Sequence, residues 1–104
     1  MTIFCYQTPA GGVDSVDLSR VAGIKLYNGV NKQLSDKFGE DFSIVFELDY
    51  NDDSFFLDCT GELNSSDYSY AVNLIKQVCT QEAALDKYQD ALMAALQSDP
   101  RYKS

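Results

Sequence analysis

The chain contains no histidine, and that absence closes several routes to chemistry. A serine or cysteine nucleophile has no imidazole to take its proton, and no histidine-bearing zinc site can be built. Cysteine is nearly as scarce: Cys5, Cys59 and Cys79 show no C-x-x-C spacing and are too few for a four-cysteine metal site. An odd number without a framework pattern reads as buried, reduced thiols of a cytosolic protein. Long apolar runs are missing too. Nothing approaches the ~18–20 consecutive apolar residues that cross a bilayer. The opening "MTIFCYQTP" has neither the basic start nor the apolar stretch of a secretory leader. The cytosol is the expected compartment, and no metal, cofactor or enzymatic activity is expected.

Positive charge is the third scarcity. Sixteen acids face eight bases, a net charge of −8. The phosphates of DNA, RNA or an anionic membrane would repel such a chain, so direct binding to any of them is not expected. A basic protein surface is the more natural partner, although acidity also serves plain solubility.

What is present is enough for one domain spanning residues 1–104, with a single modest core. Thr2–Thr8 alternates weakly and reads as a first strand, followed by a loop carrying Pro9, Gly11 and Gly12. From about Asp17 to Phe38 the apolar residues recur at helical spacing: Leu18, Ala22, Leu26, Val30, Leu34 and Phe38 form an i, i+4 row. Asp14 or Ser15 is the expected cap and Gly39 the expected stop. Asn28-Gly29 is a hairpin-turn signal inside this stretch, so a break is expected there if anywhere.

Phe42–Tyr50 alternates cleanly, with Phe42, Ile44, Phe46, Leu48 and Tyr50 on one face. "NDDS" is a turn cluster, and Ser54–Thr60 returns as a second strand. A tight turn centred on Asp52-Asp53 would pair Leu48 with Leu57, Phe46 with Cys59, and Glu47 with Asp58. Beyond "GELNSSDYSY", where Ser65 or Ser66 is the expected cap, a last apolar stripe runs through Tyr68, Val72, Ile75 and Cys79 to Leu92 and Leu96. Pro100 stops it. As one rod it would be ~45 Å long, against a radius of gyration near ~13 Å for a domain of this size. A bend around Thr80 is therefore expected. The fold class is α+β: a three-stranded, expected antiparallel sheet in the order β-α-β-β-α-α, with helices on one face.

The hairpin raises the functional question. Between Lys37 and Lys76 there is no basic residue, while Glu40, Asp41, Glu47, Asp49, Asp52, Asp53, Asp58, Glu62 and Asp67 all fall inside. Glu47 opposite Asp58 would cost ~0.2–1 kcal/mol through like-charge repulsion, and Asp52-Asp53 is a poorer turn than Asn-Gly. Local stability gives way to negative charge. Mixed signs would serve solubility as well, so a single-sign field is read as steering toward a positive surface, with Phe56 as an aromatic anchor. The expected partner-binding set is Glu40, Asp41, Glu47, Asp49, Asp52, Asp53, Phe56, Asp58 and Glu62.

Competing readings are weaker. Asp49, Asn51 and Asp53 have EF-hand spacing, but Ser54 stands where glycine is needed and Thr60 where a bidentate glutamate belongs. Glu47 and Asp58 as an acid–base pair would need a water-excluding pocket that an exposed hairpin does not offer. Tyr88, Leu92 and Leu96 form a row through which a C-terminal helix could dimerise; otherwise a monomer is expected. Asn64-Ser65-Ser66 matches a glycosylation sequon, which carries no meaning in the cytosol.

In size, acidity and α+β content the chain resembles two groups of small acidic inhibitors: phage anti-defence proteins, anti-CRISPR and anti-restriction proteins among them, and immunity proteins of bacterial nuclease toxins. The resemblance rests on no motif. It implies a stoichiometric inhibitor whose carboxylates stand in for phosphates on the basic surface of a nucleic-acid-handling protein or nuclease.

Overall fold

Thr8 closes the first hairpin. Its amide donates to Gly12 O and its carbonyl accepts from the Gly11 amide, both at 2.9 Å, while its Oγ1 accepts from the Gly12 amide at 3.1 Å. Gly11 takes φ 87°, a conformation that glycine enters without steric cost. The glycine loop is thus a turn joining β1 (Thr2–Gln7) to β2 (Val13–Leu18). These features come from a computed structural model that describes residues 2–8, 11–39, 46–49, 54–58 and 63–103, the side chains of 47–49 excepted.

β2 corrects the expected start of the helix. Residues 13–18 pair with β1 in antiparallel register, and α1 (Arg20–Phe38) begins only after Ser19. Ser19, not Asp14 or Ser15, is the cap, its Oγ accepting from the Ala22 amide at 3.1 Å. Gly39 ends the helix with φ 59°. Asn28-Gly29 does not break it. Gly29 is where α1 crosses the next helix: a Cβ there would stand 2.6 Å from Val78 Cγ1.

β3 (Phe46–Asp49) and β4 (Ser54–Leu57) form the second hairpin. Their register is Phe46↔Leu57, Glu47↔Phe56, Leu48↔Phe55 and Asp49↔Ser54. This is shifted by two residues from the expected pairing, so every residue keeps its face while changing its partner. β4 runs parallel to β1, and the sheet order is β2-β1-β4-β3. The α+β class holds; the sheet gains a fourth strand because the chain after the glycine loop returns as β2, and it is mixed instead of antiparallel because β4 pairs with β1 in parallel.

α2 (Ser65–Gln81) is capped by Asn64, whose Oδ1 accepts from the Asp67 amide at 2.8 Å, one residue before the expected serine. Glu82 turns extended (φ −107°, ψ 114°) and breaks the element; a 3₁₀ segment (Ala83–Tyr88) then leads into α3 (Gln89–Gln97). Molecular extents of 30 × 28 × 24 Å leave no room for a straight ~45 Å rod. The bend falls two residues after Thr80.

The core lies between the inner sheet face and the helices. Tyr27 of α1 stacks on Phe55 (ring centroids 5.5 Å apart) and on Phe46 (6.0 Å), and Phe4 joins Phe46 at 6.1 Å. Leu26, Val30 and Leu34 from α1 meet Ala71, Val72 and Ile75 from α2, all fully buried. Leu92 and Leu96 are fully buried as well, each contributing ~1.5–3 kcal/mol by burial. Tyr88 is half-buried, and its hydroxyl accepts from the Ser19 amide at 3.1 Å. The row offered as an alternative dimer seam is therefore taken up by the chain's own core, Tyr88 in part. No helix among the described residues is long and apolar enough to cross a membrane.

Candidate functional site

Strand alternation divides the sheet into two faces. Inward go Leu18, Phe4, Phe55, Leu57 and Phe46, all buried. The opposite face follows from the three registers. One row across it reads Asp17, Ile3, Ser54, Asp49; the next reads Ser15, Cys5, Phe56, Glu47; Val13 and Gln7 begin a third. Ile3, Cys5 and Phe56 are half-buried, Asp17 is exposed, and Val13 is 56 % exposed. No described helix packs over this side. Neither lysine nor arginine occupies any of these positions, and among the described residues Asp17 forms no salt bridge.

Of the expected binding residues, Phe56 lies on this outer face, and Glu47 and Asp49 occupy β3 positions opposite Phe56 and Ser54. Glu40, Asp41, Asp52, Asp53 and Glu62 lie outside the described residues, as do Asn51 and Thr60 of the calcium spacing. Cys59 lies outside them too; Cys5 and Cys79 are free thiols.

Asp58 is a correction. It does not oppose Glu47 on the water-facing side: it is 1 % exposed, and its Oδ2 accepts from Arg101 Nη1 at 2.6 Å. The strand ends at Leu57 because Asp58 takes φ 56°, outside the extended region, and so turns inward. Its Oδ1 accepts from the Leu63 amide at 3.3 Å. Arg101 holds more than Asp58. Nε and Nη2 donate as a fork to Asp99 at 3.1 and 3.0 Å, and Nη1 also donates to Leu63 O at 3.0 Å. The guanidinium lies 4.2 Å over the Tyr68 ring, and the Tyr68 hydroxyl donates to Leu96 O at 2.7 Å.

This arrangement sets the titration of its members. Hydrogen bonds to Asp99 and then Asp58, against the opposing effect of burial, raise the Arg101 guanidinium above its ordinary value. Burial pushes the Asp99 carboxyl up, but hydrogen bonds and charge from Arg101 outweigh it and hold the group below its ordinary 3.8. Burial also drives the Tyr68 phenol well above its usual range. These groups are a structural clamp joining the exit of β4 to the C-terminal tail. Asp58, Asp99 and Arg101 are each engaged by partners within the chain.

Two shallow grooves run along α2. One, of 260 Å³, is lined by Gln33, Tyr70, Asn73, Leu74 and Gln77; the other, of 390 Å³, lies beside Asn73, Lys76, Gln77, Thr80 and Gln81. Their linings combine Leu74, the Tyr70 ring and side-chain stems with amides, hydroxyls and one lysine, and hold no carboxylate or thiol. Among the described residues no group of three His, Cys, Asp or Glu side chains could hold a metal ion.

Two features of the site were missed in the sequence. Asp17 and Val13 belong to the outer face through β2, whose alternation (Val13, Ser15 and Asp17 against Asp14, Val16 and Leu18) is present but polar and weak. Arg101 sits 43 residues beyond Asp58 and carries no local signal of its target. The chain matches no family model, no curated protein and no solved structure.

Proposed function

We propose that this protein is a stoichiometric inhibitor, of the phage anti-defence kind, that docks the outer sheet face on the basic surface of a nucleic-acid-handling protein in the host cytosol. The observation that carries this reading is the outer face itself: an apolar centre, acidic positions on both flanking strands and, among the described residues, no lysine or arginine on it and no helix over it. Leaving apolar side chains at the centre of such a face gains nothing for the core. Its use lies in complementarity to Arg and Lys side chains that otherwise meet phosphate, with charge steering the encounter and Phe56 contributing apolar contact. Asp58 is excluded from this surface, since Arg101 already neutralises it.

The test is capture from host lysate with the wild-type chain and with Asp17→Lys/Glu47→Lys/Asp49→Lys. The expected result is a nucleic-acid-binding protein that is held at low salt, released at high salt, and not retained by the triple variant. Equal capture by both chains would overturn the proposal. The variant should keep the wild-type circular dichroism spectrum and melting temperature.

A further inference from the structure

We infer that the outer sheet face receives a basic amphipathic helix of the target, laid along the β1–β4 centre. The inference rests on the docking proposal above and specifies the partner's element. Adjacent strands are ~4.8 Å apart, so the acidic flanks on β2 and β3 lie three spacings, or ~14 Å, from each other. A helix with its side chains is ~10–12 Å across, which fits between those flanks. Its apolar stripe would meet Ile3, Cys5 and Phe56, with Val13 at the corner of the face. Lys and Arg on either side of that stripe would lay their stems outward and bring their charges to Asp17 on one flank and to the β3 positions 47 and 49 on the other. The charge pattern is two-sided, and a helix with one apolar stripe and two basic shoulders is two-sided in the same way.

Other occupants fit less well. An extended segment added to the β2 edge would use backbone hydrogen bonds and leave the central apolar band untouched. A second copy of this chain would set acid against acid, because none of the described positions of the face is a lysine or arginine. The grooves along α2 have no charge pattern that selects a partner.

The experiment uses the full chain, isotopically labelled, and a synthetic peptide of about 18 residues, ~27 Å long as a helix, with leucine at 3–4 spacing and lysine elsewhere. The control is a peptide of the same composition with the leucines scattered. Expected are amide shift changes centred on Ile3, Cys5, Phe56 and Asp17, a gain of helical circular dichroism on mixing, and at least tenfold weaker binding of the scattered peptide. Phe56→Ala and, in the event that it misfolds, Val13→Ser should each weaken the amphipathic peptide without altering the fold, Phe56→Ala by about tenfold. Equal binding of both peptides at this face would overturn the helix inference and leave the acidic docking face standing. Shift changes confined to residues 13–18 with no helical gain would replace the helix by an added strand. Failure of both peptides to perturb the face would remove the helix inference and the docking face together.

Discussion

Arg101 and Asp58 meet 2.6 Å apart, one at the C-terminal tail and the other at the end of β4. The carboxylate is 1 % exposed and the arginine side chain 24 %. Taking one partner away leaves the other charge desolvated, which costs more than the pair gains by forming. Arg101→Met should therefore destabilise the fold by about 2–3 kcal/mol, less than the ~3–5 kcal/mol of a fully buried broken pair because Arg101 is partly solvated. Urea unfolding measures this. The double variant Asp58→Asn/Arg101→Met should be less damaging than the sum of the singles, because Asp58 is then no longer a stranded charge and only Asp99 loses its partner.

Asp99 gives the clamp a pH dependence. Its folded-state pKa lies below its ordinary 3.8, so the unfolded chain binds its proton first as pH falls. The stabilisation is fully present above the unfolded value and is lost as pH drops through the folded one. Thermal melts should show the melting temperature falling below about pH 4, with a shallower acid slope in Asp99→Asn. An unchanged slope would mean that Asp99 does not titrate with folding. At the alkaline end the sign reverses. Burial pushes the Cys79 thiol from 9.0 up to about 11, so its contribution is present below pH 9 and fades as pH rises through the folded value. Mass-spectrometric mapping after thiol alkylation at neutral pH should find Cys79 unmodified in the native chain and modified in urea.

How much of this was legible in the sequence depends on whether the signal was periodic or pairwise. The row Ala22, Leu26, Val30, Leu34 announced α1 because a buried helix face repeats every three to four residues. The faces of β3 and β4 survived a two-residue error in register, since alternation has a period of two. β2 escaped because two exposed aspartates and a serine dilute its apolar alternation to Val13, Val16 and Leu18, and because a glycine turn looks like any polar loop. Asp58 misled for a different reason. Continuing the strand by periodicity placed it outward, but a single left-handed residue ended the strand and turned it to a partner 43 residues away. Long-range ion pairs leave no trace in local spacing.

Gly29 is a case where packing overrides propensity. In an isolated helix Gly→Ala gains ~1 kcal/mol. Here the added Cβ would sit 2.6 Å from Val78 Cγ1 and 2.9 Å from Cγ2, so α1 and α2 must separate or Val78 must strain. Overpacking of this kind costs ~1–3 kcal/mol. Gly29→Ala should be net destabilising by about 1 kcal/mol in chemical denaturation, and Val78→Ala in the same chain should recover part of that loss by opening space. A stabilised Gly29→Ala would show that the two helices approach less closely than these distances require.

The strongest discrimination between scaffold and docking face comes from placing the same new side chain at two aspartates. Asp17 is exposed on the edge strand and makes no ion pair among the described residues; exposed substitutions of this type usually move stability by less than ~0.5 kcal/mol. Asp58 is buried against Arg101, and a lysine there would put two cations in one desolvated site, costing more than ~3 kcal/mol. Asp17→Lys should leave the melting curve unchanged and weaken target capture, most visibly at low salt, where attraction across the docking face is least screened. Asp58→Lys should unfold the chain or lower its melting temperature sharply, and any loss of capture should follow the folded fraction. If Asp58→Lys stays folded and loses its target, Asp58 belongs to the docking surface and the clamp does not hold in solution.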